Sequence, residues 1–133
     1  MGRLSLARLR SMTQIVRTGQ TVAGELVTFD IGWDDDLTGN ESVLWSMIIT
    51  SSDGEEIVQL GYKVVDDAFS AQFVNDWTTG REQTVDQDAD ARDREVTVRF
   101  PASIVGVAAA WPTWKAVINV NGIDVAERAS APN

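Results

Sequence analysis

Hydrophobic residues recur at every second position over most of this chain, and that period decides what it can build. Successive side chains of an extended strand point to opposite faces, so a period of two marks one buried face and one wet face. Residues 21–33 read as one half-buried strand, with Val27, Phe29, Ile31 and Trp33 on a single side. Residues 43–50 are apolar on both faces, the pattern of a central strand covered on each side. In 57–65, Val58, Leu60, Tyr62 and Val64 share a face, and in 68–75 the same alternation turns Phe69, Ala71 and Phe73 inward. A short strand is expected at 81–85. Val96, Val98 and Phe100 alternate up to Pro101, which ends that strand because proline cannot donate to a ladder. Trp114, Ala116, Ile118 and Val120 form the last long inward row.

Turn residues punctuate these runs. Asp53-Gly54 and Asn121-Gly122 supply the positive φ that tight hairpins need, and Asp66-Asp67 marks a further turn. Residues 86–94 are polar and read as an exposed loop, and 102–107 fit a single helical turn. At the N-terminus Leu4 and Leu6 alternate like a strand, whereas Leu9, Met12 and Val16 fit a helical stripe; the β character downstream favours the strand. The expectation is one all-β domain over 1–133, an antiparallel β-sandwich of about eight or nine strands, immunoglobulin-like or jelly-roll-like. Within it, residues 1–20 form a basic arm or first strand, and 129–133 a loose tail.

Composition narrows the function more than the fold. The chain has 133 residues, enough for one core, and it contains neither cysteine nor histidine. Disulfides, thiolate metal sites, cysteine nucleophiles and histidine-dependent triads are therefore excluded. A glycine-rich phosphate loop is also absent, and no carboxylate pair stands out as a hydrolytic centre. The reading is of a protein that is not an enzyme.

Charge is distributed unevenly. No acidic residue precedes Glu25, while Arg3, Arg8, Arg10 and Arg17 all fall in that opening stretch. The remainder is strongly acidic, which disfavours nucleic acid and anionic membrane as partners. The four arginines form a candidate arm for an acidic protein partner, including a second copy of the chain. Their bland alternative is an ordinary solvated flank. The longest apolar run, 104–111, is too short to span a membrane, and the first residues lack a secretory h-region.

Three residue groups could hold a ligand. Asp86, Asp88 and Asp90 place carboxylates at alternate positions, so calcium is the one cofactor considered. That stretch departs from a helix-loop-helix calcium loop at Ala91, where glycine belongs, and at Thr97, where a bidentate glutamate belongs. Asp34, Asp35 and Asp36, with Asn40 and Glu41, make a weaker acidic cluster. Asn40-Glu41-Ser42 matches a glycosylation sequon, relevant only on a eukaryotic secretory route. Five tryptophans complete the set. Trp45 and Trp114 sit inside strands and belong to the core, while Trp33, Trp77 and Trp111 lie at strand ends or in loops. Exposed indoles there would stack on sugar rings; buried ones would plug the ends of the sandwich.

Several stretches carry a family likeness: VLWSMII at 43–49, QLGYKVVDD at 59–67, FSAQFVND at 69–76, TGREQTVD at 79–86, VTVRFP at 96–101 and WKAVINVNGIDV at 114–125. Over about two thirds of its length the chain resembles an uncharacterised domain of secreted actinobacterial proteins. That domain is similar in design to DOMON-like and family 9 carbohydrate-binding modules. The resemblance implies a non-catalytic sandwich, and it assigns no ligand residues. The chain departs from the group where Asp124-Val125-Ala126-Glu127-Arg128 replaces an Asp-Val-x-x-Cys-Pro segment. The resulting expectation is a binding or adhesion module for carbohydrate, extracellular or particle-associated. The alternative is a structural subunit of a capsid, tail or filament that docks through its basic arm.

Overall fold

The computed structural model describes residues 13–130. Ten strands form two antiparallel sheets, so the chain is an all-β sandwich. The four-stranded sheet has the order β1 (Ile15–Ala23), β2 (Leu26–Trp33), β8 (Glu95–Pro101) and β7 (Ala89–Arg92). The six-stranded sheet has the order β10 (Ile123–Ala129), β9 (Thr113–Val120), β3 (Ser42–Thr50), β4 (Ile57–Val65), β5 (Ala68–Asp76) and β6 (Arg81–Thr84). A helical turn, α1 (Ala102–Val105), continues into a 3-10 turn at Gly106–Ala110. These two turns bury Val105 and Ala108 and lie where residues 102–107 were expected to coil.

The core follows the alternation. Val27, Phe29 and Ile31 of β2 and Val96, Val98 and Phe100 of β8 face Met47, Ile49, Leu60, Trp114 and Ile118 across the sandwich. Phe29 meets Phe100 and Trp114 edge-on, with ring centroids 6.3 and 5.1 Å apart. Each such buried side chain contributes on the order of 2 kcal/mol of transfer free energy. Hairpin chemistry also holds. Gly54 has φ 78°, and Asp66, Asp67, Asn121 and Gly122 all have positive φ, as the twist of tight hairpins demands.

Three expectations are corrected. Residues 21–33 are not one strand. The chain reverses at Gly24-Glu25, with Gly24 at φ 61°, so that Ala23 pairs with Leu26 and the stretch divides between β1 and β2. Strand β5 has the opposite phase from the one expected: Gln72 and Val74 are buried, while Ala71 and Phe73 lie on the outer side. The cause is a bulge. Lys63 pairs with Ala71 but Val64 pairs with Phe69, so Ser70 is an extra residue that flips the parity beyond it. Residues 86–94 contain β7, which pairs with β8. The outer side of β3 is covered at least in part, as its apolar pattern predicts: Ser46 is buried and Leu44, Ile48 and Thr50 are half-buried.

A buried glutamine inside a core needs an account. Gln72 Nε2 donates to the Arg99 carbonyl at 2.8 Å, and Gln72 Oε1 accepts from the Asp88 amide at 2.8 Å. Both ends of the amide are satisfied, so burial carries no unpaired polar group. The side chain thereby ties β5 to β8 and to the crossover that carries the chain from one sheet to the other. At the opposite margin, Arg128 donates to the Ile15 carbonyl at 3.1 Å and joins β10 to β1.

Candidate functional site

The two outer faces of the sandwich differ in kind. On the four-stranded sheet, outward side chains are charged and mutually neutralised. Arg17 lies 2.7 Å from Glu95, and Arg92 lies 3.9 Å from the same carboxylate. Arg99 donates to Asp88 at 2.8 Å and to Asp90 at 3.2 Å, while the Thr97 hydroxyl donates to Asp30 at 2.6 Å. The Asp88 hydrogen bond, outweighing partial burial, raises the Arg99 guanidinium above its ordinary pKa.

The six-stranded sheet presents an apolar and amide face. Its middle row runs Val117, Ser46, Gly61, Phe73 and Thr84 across β9, β3, β4, β5 and β6. The next row runs Lys115, Ile48, Gln59, Asn75 and Glu82. The outer end of the Phe73 ring lies over Gly61: a Cβ built on that glycine would stand 2.3 Å from the Phe73 Cζ. Glycine is required there because a ring covers it, as cross-strand aromatics commonly do for glycine in sheets.

Trp77 follows β5 directly, and its amide donates to the Ile57 carbonyl at 3.0 Å. That contact folds the indole back beside β4, where Trp77 Nε1 donates to Gln59 Oε1 at 3.1 Å. Gln59 Nε2 in turn donates to Ser46 Oγ at 2.9 Å. The indole is 50% exposed, yet this relay fixes its orientation. A half-exposed aromatic with its polar edge already satisfied offers its ring face as a stacking surface.

The remaining tryptophans are elsewhere. Trp33 is buried at the far end of the sandwich, 5.2 Å from the Trp45 ring, and Tyr62 and Phe69 extend the stack. The Trp33 and Trp45 indole N–H groups have no protein acceptor among the described residues. Trp111 lines a cleft of about 400 Å³ with Gln20, Val22, Ala109, Pro112 and Trp114. It shares an end of the six-stranded sheet with Trp77, but three strand spacings of ~4.8 Å separate their strands. The three tryptophans therefore do not converge on one ligand.

The acidic groups also have local partners. Arg99 lies between Asp88 and Asp90, where a cation would sit, and Asp86 stands outside that pairing. Asp34 and Asp35 accept from the Gln14 amide and the Thr13 hydroxyl. Asp36 accepts from the Thr38 hydroxyl and amide, which hold its pKa below the ordinary carboxylate value. Among the described residues no three acidic side chains form a metal-binding group. Of the arm, Arg17 is paired to Glu95 in its own chain, and Arg3, Arg8 and Arg10 lie outside the described residues. No helix among the described residues is long and apolar enough to cross a membrane.

No protein family, curated protein or solved structure matches this chain. Sequence reasoning singled out Trp77 but missed Phe73, Gln59 and Ser46. The one available signal was Gly61 inside a strand, and it becomes legible only once the β4–β5 register is known.

Proposed function

We propose that this chain is a non-catalytic binding module that takes carbohydrate on the outer face of its six-stranded sheet, beside Trp77. The observation that carries the reading is Trp77, half exposed and held by the relay through Gln59 to Ser46. A pyranose presents an apolar ring face that stacks on an indole, and a ring already fixed in place loses little entropy on binding. Asn75 lies on the same outward side and offers both donors and an acceptor to sugar hydroxyls.

Glycoside hydrolysis ordinarily uses two carboxylates flanking the scissile bond; on this face the carboxylates stand at opposite edges, Glu82 on β6 and Asp124 and Glu127 on β10.

Intrinsic fluorescence tests the reading, since Trp77 is the most exposed of the tryptophans. Titration with a panel of soluble polysaccharides should shift the emission, and Trp77→Ala should weaken binding about 30-fold, the effect of losing a hot spot worth roughly 2 kcal/mol. A panel of neutral and charged glycans that leaves the emission unchanged sinks the proposal.

A further inference from the structure

We infer that the margin between β1 and β10 is an assembly site, where residues 3–10 of a second copy of this chain add a strand to β1. The strands that end the two sheets meet there, β1 from the four-stranded sheet and β10 from the six-stranded one. Each turns one side toward the core, and each leaves apolar side chains on that side in water. Val22 pairs with fully buried Val27, so it stands on the core-facing side, yet it is 56% exposed. Ile123 pairs with Val120, itself the partner of buried Val43, and is 57% exposed. Inward residues of a sandwich are ordinarily its core.

The gap has a geometric cause. Phe29 of β2 meets Trp114 of β9, whereas Trp33 of the same strand meets Trp45 of β3, one strand further in. The sheets therefore cross at an angle, and toward the Trp33 end β1 lies over β9 and leaves the inner side of β10 uncovered. Two clefts of about 400 Å³ each follow this margin. One lies between Thr13 and Ile15 on one side and Val125 and Ala126 on the other, and the second lies between Gln20, Val22 and Trp111. A strand hydrogen-bonded to the free edge of β1, at the ~4.8 Å spacing of a sheet, would lie over Ile123 and Ala126.

The occupant is argued from the chain that precedes Thr13. Residues 1–12 lie outside the described structure and contain no acid; Leu4 and Leu6 alternate as an inward row does, and Arg3, Arg8 and Arg10 flank them. Eight extended residues span about 26 Å, a match for the seven of β10 and the nine of β1. The rim is acidic. Asp34 and Asp35 accept from the Gln14 amide and the Thr13 hydroxyl beside one cleft, and Asp124 and Glu127 stand on β10. Arg128, the cation within the margin, is engaged by the Ile15 carbonyl at 3.1 Å. A basic segment thus meets opposite charge on an acidic body.

The strand comes from a neighbour because of what joins the arm to β1. An arm paired with its own β1 would have to reverse within residues 9–14, Leu-Arg-Ser-Met-Thr-Gln. That stretch holds none of the glycine, asparagine or aspartate that supplies positive φ in a tight hairpin. A segment that does not reverse leaves its own margin for that of another copy, which is a contact between unlike surfaces.

Sedimentation velocity on the full chain tests this. The mass should rise above the monomer with concentration and fall back at high salt. Leu4→Asp with Leu6→Asp, and separately Ile123→Lys with Ala126→Lys, should each weaken association about 30-fold, as losing a hot spot does. Mixing these two variants should restore a heterodimer, since one keeps its groove and the other its arm. Arg3→Glu with Arg8→Glu and Arg10→Glu, at positions that precede the sandwich, should also dissociate the assembly, while Trp77→Ala should leave it unchanged. A monomer at every concentration overturns the inference; if Leu4→Asp with Leu6→Asp then lowers the urea midpoint, the arm packs on its own chain. An oligomer that resists all three sets of substitutions, or one dissolved by Trp77→Ala, is built on another face and overturns it as well.

Discussion

The outer faces of the two sheets share one core and one chain, yet they solve the problem of meeting water in opposite ways. On the four-stranded sheet, charge is matched internally: Glu95 accepts Arg17, and Arg99 bridges Asp88 and Asp90. On the six-stranded sheet, Phe73 covers a glycine and Trp77 leans on an amide relay, while Lys63 has no ion-pair partner among the described residues. A self-neutralised face has little left to offer a ligand. An apolar face with fixed aromatics and an unmatched lysine has a great deal, and solubility alone does not account for it.

The comparison is most vulnerable at Gly61. If Phe73 lies on that glycine as described, Gly61→Ala must push the ring away and should cost about 1–3 kcal/mol in urea unfolding, the usual range for overpacking. The sharper measurement is the same substitution in a Phe73→Ala background. There the obstacle is gone, and alanine in a strand should be more stable than glycine by about 0.5–1 kcal/mol, reversing the sign. Additive costs in the two backgrounds would mean that the ring does not cover the glycine.

The opposite face answers to a smaller perturbation. Arg99→Met leaves Asp88 and Asp90 without their shared donor, on a side chain about one quarter exposed. The loss should be about 1 kcal/mol at low salt, shrinking as ionic strength rises, because solvent already screens the pair. Glycan affinity should not change. A drop in affinity comparable to that of Trp77→Ala would mean that the four-stranded face, too, binds ligand.

Much of this contrast could be read before any coordinates, and the part that could not has a definite cause. Val27, Phe29 and Ile31 alternate without interruption, and the structure buries all three. Asp53-Gly54 and Asn121-Gly122 turn where their φ preferences require. The outer face of the six-stranded sheet escaped because one residue, Ser70, shifts the phase of β5, and nothing in the local sequence distinguishes a bulged serine from a paired one. Phe73 then reads as core when it is surface, and Gln72 as surface when it is core. The hairpin at Gly24 was hidden for a related reason: Val22 and Val27 keep the chain looking like a single strand across the turn. Trp77 was singled out as a loop residue, but its support from Gln59 and Ser46 depends on three strands meeting in register.

That register depends in turn on the β3–β4 hairpin, which supplies the smallest of the expected effects. Asp53 Oδ1 accepts from the Ser51 hydroxyl at 2.7 Å and from the Glu55 amide at 3.0 Å. These bonds favour the ionised carboxyl, the hydroxyl more than the amide, and hold its pKa below the ordinary 3.8. A carboxyl depressed on folding adds stability that is fully present above the unfolded value and fades as the pH falls through the folded one. Asp53→Asn should therefore lower the urea midpoint modestly at neutral pH, and the gap between variant and parent should close only below 3.8. Ser46 and Gln59 sit on the two strands this hairpin joins, so near-ultraviolet dichroism, which follows the indoles, reads how far the Asp53→Asn change reaches the Trp77 relay. A midpoint gap that persists unchanged into acid would remove Asp53 from the account of how the binding face is kept in register.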